Sequence, residues 1–170
     1  MSRATVRAAI TDYLLNYGVT NLSNVYPFPA KLTPEGEFFQ GEDPGHQSGA
    51  VIFLYLENQR ESRIALGGPH DGRKQVEYQF ILESYLRSTK KKSEDAGADN
   101  EAFLDSLVTA IRADRTAGHP GVVFSWGEGT INGGPDIEIT SYYPKQINGS
   151  AAATQVYSMV RVMVIEIADT

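Results

Sequence analysis

The stretch Gln155-Val-Tyr-Ser-Met-Val-Arg-Val-Met-Val-Ile-Glu-Ile-Ala168 reads as the longest strand of the chain. Val156, Val160, Val162 and Val164 line one face, and Tyr157, Met159, Met163, Ile165 and Ile167 line the other. A strand apolar on both faces has to be covered on both. One helix layer and one partner subunit would cover it. Two amphipathic helices and long loops of the same chain would cover it too.

Working outward, residues 74–87 alternate in the same way, with Val76, Tyr78, Phe80 and Leu82 on one side and Gln75, Glu77 and Gln79 on the other. The turn-rich Gly67-Gly68-Pro69-His70-Asp71-Gly72 joins this strand to a shorter one over 61–67, which predicts a hairpin. Residues 50–58, 122–126 and 137–143 read as further strands, with one short strand near Asn24–Tyr26. Helical spacing marks 4–17 by Val6, Ile10, Tyr13, Leu14 and Tyr17, stopped by Gly18. It marks 100–114 by Phe103, Leu104, Leu107, Val108 and Ile111, with Asp99 or Asn100 as cap. The expectation is one α+β domain over 1–170. It has a central, mainly antiparallel sheet of four or more strands flanked by two α-helices, with a long β-hairpin.

Strand length adds a geometric argument. A domain of this size is about 40 Å across, and a strand of about 14 residues spans about 46 Å. Either the strands 74–87 and 155–168 bend, or their ends project and pair with another subunit. On that second reading the subunit-interface candidates are Tyr157, Met159, Met163, Ile165, Tyr78 and Phe80, and the hairpin at 61–87 lies at the boundary.

The connections are polar. Residues 19–48 hold Pro27, Pro29, Pro34, Gly36, Gly41, Pro44 and Gly45, a long surface loop. Ser88–Asn100 is a charged loop, and Lys90, Lys91, Lys92, Glu94 and Asp95 are its mobile candidates. Segments 27–48 and 88–99 are expected to be the least ordered. Cysteine is absent, which removes disulfides and thiolate chemistry and suits a reducing cytoplasm. No apolar h-region follows Met-Ser-Arg-Ala-Thr-Val-Arg, so no signal peptide is expected. No apolar run reaches the roughly 18 residues of a membrane span. The net charge is -6, and the one basic run is followed by Glu94 and Asp95, which argues against gripping DNA.

Catalytic motifs do not emerge. His46, His70 and His119 each sit beside Gly or Pro, in no metal-binding pair. His70-Asp71 is better explained as part of a turn. Gly127-x-Gly129 and Gly133-Gly134 lack the spacing, and the following helix, of a phosphate loop. No nucleophile elbow surrounds a serine. The expectation is a protein that is not an enzyme and carries no cofactor and no metal.

The order of features carries a family resemblance. A helix with Val6, Ile10 and Leu14 precedes Val25-Tyr26-Pro27. A hairpin around Gly67-Gly68 and Arg73 leads into Tyr78-Gln-Phe-Ile-Leu82. A charged linker follows, then a helix with Leu104, Leu107 and Ile111-Arg112, then Trp126-Gly127-Glu128, Asp136-Ile-Glu-Ile139 and the valine-rich last strand. This pattern is similar to siphophage tail terminator proteins, the group around the lambda minor tail protein U. The resemblance implies a subunit of a homo-oligomeric ring, a hexamer in that family. Such a ring caps the completed tail tube, stops its polymerisation and joins the tail to the head–tail connector protein. The tail tube protein and the connector would be partners, and DNA would pass through without specific binding. The place of action would be the head-proximal end of the virion tail, after assembly in the host cytoplasm. Another head–tail joining protein, a head completion or connector subunit, is the nearest rival; a small α+β enzyme or ligand-binding domain is the other.

Overall fold

The computed structural model describes residues 2–29, 49–64, 72–88, 93–128, 137–142 and 154–169. Its centre is the pair of strands β3 (Arg73–Ser88) and β6 (Thr154–Asp169), antiparallel over their whole length from Arg73↔Asp169 to Ser88↔Thr154. On the other side of β3 lies β2 (Gly49–Arg63), also antiparallel, and beyond it β1 (Leu22–Tyr26), which runs parallel to β2. The far side of β6 is shared by β4 (Ser125–Trp126) and β5 (Ile137–Tyr142), both antiparallel to it. The fold is α+β, with a curled six-stranded sheet and two helices. Because β1 joins β2 in parallel, the sheet is mixed rather than wholly antiparallel.

Both helices pack on one face. Helix α1 (Arg3–Tyr17) begins where the Ser2 hydroxyl accepts a hydrogen bond from the Thr5 amide, and it ends at Gly18 in the left-handed conformation. Its Val6, Ala9, Ile10 and Leu14 are buried. Helix α2 (Ser93–Ala113) buries Ala96, Phe103, Leu107, Ala110 and Ile111. These side chains form one core with Ile52, Leu54, Phe80, Leu82, Val160, Val162 and Val164 from the sheet. Full burial of each Leu, Ile, Val or Phe contributes about 1.5–3 kcal/mol. Trp126 locks the turn after α2. Its Nε1 donates to the Asp114 carbonyl at 2.6 Å, its amide donates to the Arg115 carbonyl, and its ring meets Tyr13 edge-on at 5.5 Å.

Several sequence expectations need correction. The strand read at 50–58 and the start of the one read at 61–67 are one strand, β2, with a register shift between Leu56 and Asn58; residues 65–67 lie outside the described residues. Its polar second half stays extended because β3 supplies partners across the ladder, such as Glu77 opposite Arg60 and Lys74 salt-bridged to Glu61. Helix α2 starts at Ser93, so Glu94 and Asp95 lie in its first turn rather than in a loop. Asn100 is therefore not a cap but a buried residue inside the helix, bonded to Ser158 on β6 at 3.3 Å. Only Ser125–Trp126 of the strand read at 122–126 is a strand. Before it, the Asp114 carboxylate accepts from the Thr116 amide and hydroxyl and from the Gly118 amide, which ties the chain into turns. Lys90, Lys91, Lys92 and the loop 30–48 lie outside the described residues.

The expectation of projecting ends is corrected for β3, which is paired from Arg73 to Ser88 with β6 and from Lys74 to Arg87 with β2. β6 is paired along its whole length on the β3 side, and on its far side over Tyr157–Ile165 among the described residues. The edges belong to β1 and the second half of β2 on one side, and to β4, β5 and the two ends of β6 on the other.

Candidate interaction surface

The face of the sheet opposite the helices carries the side chains of odd-numbered residues of β3 and β6. Register arranges them in rungs. Val51, Tyr85, Tyr157 and Tyr142 form one rung, and Tyr26, Phe53, Glu83, Met159 and Thr140 the next. Tyr55, Ile81, Arg161 and Glu138 form a third.

The rings make a continuous ladder across the sheet. Tyr26 stacks on Phe53 at 5.2 Å, Phe53 meets Tyr85 edge-on at 5.9 Å, Tyr85 lies 5.2 Å from Tyr157, and Tyr157 lies 5.4 Å from Tyr142. Every link falls within the range of favourable aromatic pairing. Phe28 extends the ladder at one end, and both ends reach solvent: Phe28 is 45% and Tyr142 57% exposed.

Glu83 sits under this ladder, where Tyr85 donates to its Oε1 at 2.7 Å and its charge also acts on Tyr55 and Tyr157. Burial first, and then the Glu83 charge, push the Tyr55 hydroxyl up to about 12. Burial and the bond to Glu83 raise Tyr85; burial and the Glu83 charge raise Tyr157. The hydroxyls therefore stay protonated across the physiological range. Beside this cluster Arg161 reaches Glu57 at 3.2 Å and Glu138 at 3.5 Å, and these two carboxylates, Glu57 first, raise the guanidinium further.

The interface candidates read from sequence divide between the two faces. Tyr157, Met159 and Met163 lie half-buried on the open face, and Ile165 lies there too but only 7% exposed. Tyr78 and Phe80 point to the other face, at 2% and 0% exposure, and are spent in the chain's own core. They are corrected from interface candidates to core residues, because the side of β3 on which they lie is the side the helices cover. Glu83, Tyr55, Tyr85 and Tyr142 escaped the sequence reading. Period-2 alternation places Tyr85 on the face opposite Phe80, but only the register of three strands shows that it meets Tyr157 and, beyond it, Tyr142.

For other chemistry, no group of three or more potential metal ligands occurs among the described residues. His119 is exposed and pairs with Asp12 at 3.2 Å, while His46 and His70 lie outside the described residues. Gly127 takes φ +66 and packs its α-carbon against Ile111, so it serves a turn; the rest of that glycine-rich loop lies outside the described residues. No described helix is long and apolar enough to cross a membrane. No family model matches the chain, and no curated protein matches it in sequence.

Proposed function

We propose that this chain is a structural protein of a bacteriophage tail, of the tail-terminator kind. Its subunits close into a ring of six that caps the tail tube, stops its growth and presents a face to the head connector. It acts at the head-proximal end of the virion tail, after assembly in the host cytoplasm, and makes or breaks no bond.

One observation carries the reading: the two lateral edges of the sheet are complementary in sense. Among the described residues, no strand pairs with the outer side of β2 beyond Phe53, or with the outer side of β5. β2 and β6 run the same way, and β5 runs against them. A copy rotated about an axis along the strands would bring its β5 beside β2 in antiparallel sense. That contact is heterologous and closes into a ring when its rotation permits. The exposed edge of β2 also carries Glu57, Arg60, Glu61 and Arg63, the mixed charges that keep an edge from indiscriminate pairing. The chain's acidity supports free passage of DNA through such a ring.

The test is native mass and negative-stain microscopy of the purified protein, alone and with tubes assembled from the tube protein of the same tail. Six-subunit rings seated only at tube ends are expected. Rings that ignore tube ends would move the assignment to a head completion or connector subunit. A monomer at every concentration that also leaves tube ends bare would end the proposal.

A further inference from the structure

We propose, on the reading of the chain as a ring subunit, that a second copy seats its β5 on the outer side of β2 in one register. The incoming copy's Glu138 lies opposite Arg60, and its Tyr142 lies opposite Tyr55.

A sheet that continues across a subunit boundary keeps each side chain on its own face, and a slip of one residue would turn a strand inside out. β5 carries Glu138, Thr140 and Tyr142 on the open face and Ile137, Ile139 and Ser141 on the helix side. β2 carries Tyr55, Asn58 and Arg60 on the open face, because the bulge at Glu57 moves the alternation from odd to even numbers. With Glu138 opposite Arg60, Thr140 falls opposite Asn58, Ser141 opposite Leu56 and Tyr142 opposite Tyr55.

This register matches charge and rings together. Arg60 is exposed and makes no ion pair among the described residues, with the buried Glu77 across from it on β3. Glu138 reaches Arg161 through Oε2 at 3.5 Å, and its Oε1 can accept from a second guanidinium. Tyr142, 57% exposed at one end of the aromatic ladder, meets Tyr55 and the exposed Phe28 at the other end, so the ladder runs on from copy to copy. Ile139, exposed at the bare edge, comes within reach of Leu56 on the helix side. A slip of two residues one way sets Glu138 opposite Ser62 and Tyr142 opposite Asn58, which loses both contacts. A slip the other way sets Tyr142 opposite Phe53, whose outer side Tyr26 of β1 already holds. The end of β1 is thus a stop that fixes where the incoming strand can lie.

The chain has no cysteine, so an introduced disulfide can report the register. In the full chain, Asn58→Cys with Thr140→Cys puts one thiol on each edge, three strand spacings or at least about 14 Å apart, too far to bridge within one subunit. Mild oxidation is expected to link copies into covalent oligomers on a non-reducing denaturing gel, while Ser62→Cys with Thr140→Cys gives none. Arg60→Glu should weaken assembly several-fold in sedimentation, and adding Glu138→Arg should restore it. Wild-type rings with the Asn58 and Thr140 thiols unlinked, equal linking from Ser62 and Thr140, or a double charge reversal that assembles no better than Arg60→Glu would overturn this register and leave the ring standing. A wild type that is monomeric at every concentration, with or without tube ends, would end both.

Discussion

Tyr78 donates a hydrogen bond of 2.7 Å to Glu166 on the neighbouring strand, and both side chains are buried on the helix side of the sheet. Burial and this bond hold the Tyr78 hydroxyl above its usual range. Removing the hydroxyl withdraws one donor from a buried carboxylate, which costs about 1–3 kcal/mol. Tyr78→Phe should therefore lower the urea midpoint without changing the slope, and an unchanged midpoint would show the bond to be energetically idle.

Alkali offers a second test. Tyr13, Tyr55, Tyr78, Tyr85 and Tyr157 are all raised, burial being the largest cause in each. A group with a raised folded value stabilises the fold fully below its unfolded value, near 10 for tyrosine. That stabilisation is lost as pH climbs through the folded value, about 12 for Tyr55. Phenolate absorbance in the folded protein should thus lag behind the nine tyrosines of the unfolded chain, and stability should fall between about pH 10 and 12. Superimposable folded and unfolded titration curves would contradict the cluster.

At Gly127 the backbone is left-handed, and a Cβ would collide with the Ile111 side chain, which is itself fully buried. Gly127→Ala should cost about 1–3 kcal/mol through strain and collision together. Pairing it with Ile111→Val should recover none of the loss, since valine keeps the γ-methyl that collides and the φ strain remains. Recovery in the double variant would mean that the collision is not with that methyl.

The two faces should answer differently to truncation. Leu107, fully buried beneath the sheet, should lose about 2–5 kcal/mol on change to Ala. Tyr142→Ser, at an exposed edge ring, should stay within about 0.5 kcal/mol. Thermal melts of the two variants give the comparison, and a large loss at Tyr142 would make the ladder a folding element rather than a surface.

Much of this was legible in the residues. The valine stripe of 155–168 does face the helices, because the side-chain period of a strand is fixed by its backbone. The two helices and their stripes could be read for the same reason. What escaped depends on partners distant in sequence. The length of 155–168 suggested overhanging ends, yet β2 and β3 are nearly as long, so the ends pair with each other. The polar half of β2 looked like a turn and a second strand, since nothing local shows that Glu77 and Lys74 await it across the ladder. Ser93-Glu94-Asp95 is itself a helix-start signal, but Gly97 and the charges around it masked it. The Glu83 cluster draws on three strands, and no single segment spells it.

The position of β6 governs how the molecule can be made. β6 leaves the ribosome after the other five described strands yet lies inside the sheet, and β3 has no neighbour on that side until it arrives. During synthesis β3 therefore presents an open ladder, with the apolar residues of its helix-facing side uncovered as well. The fold closes only after translation has delivered residues 154–169, and pairing across so wide a gap in the chain makes that closure slow. A ribosome-bound intermediate of this protein is thus a natural client for a holdase, and shortening the chain by the length of β6 would remove the sheet's interior rather than trim its rim.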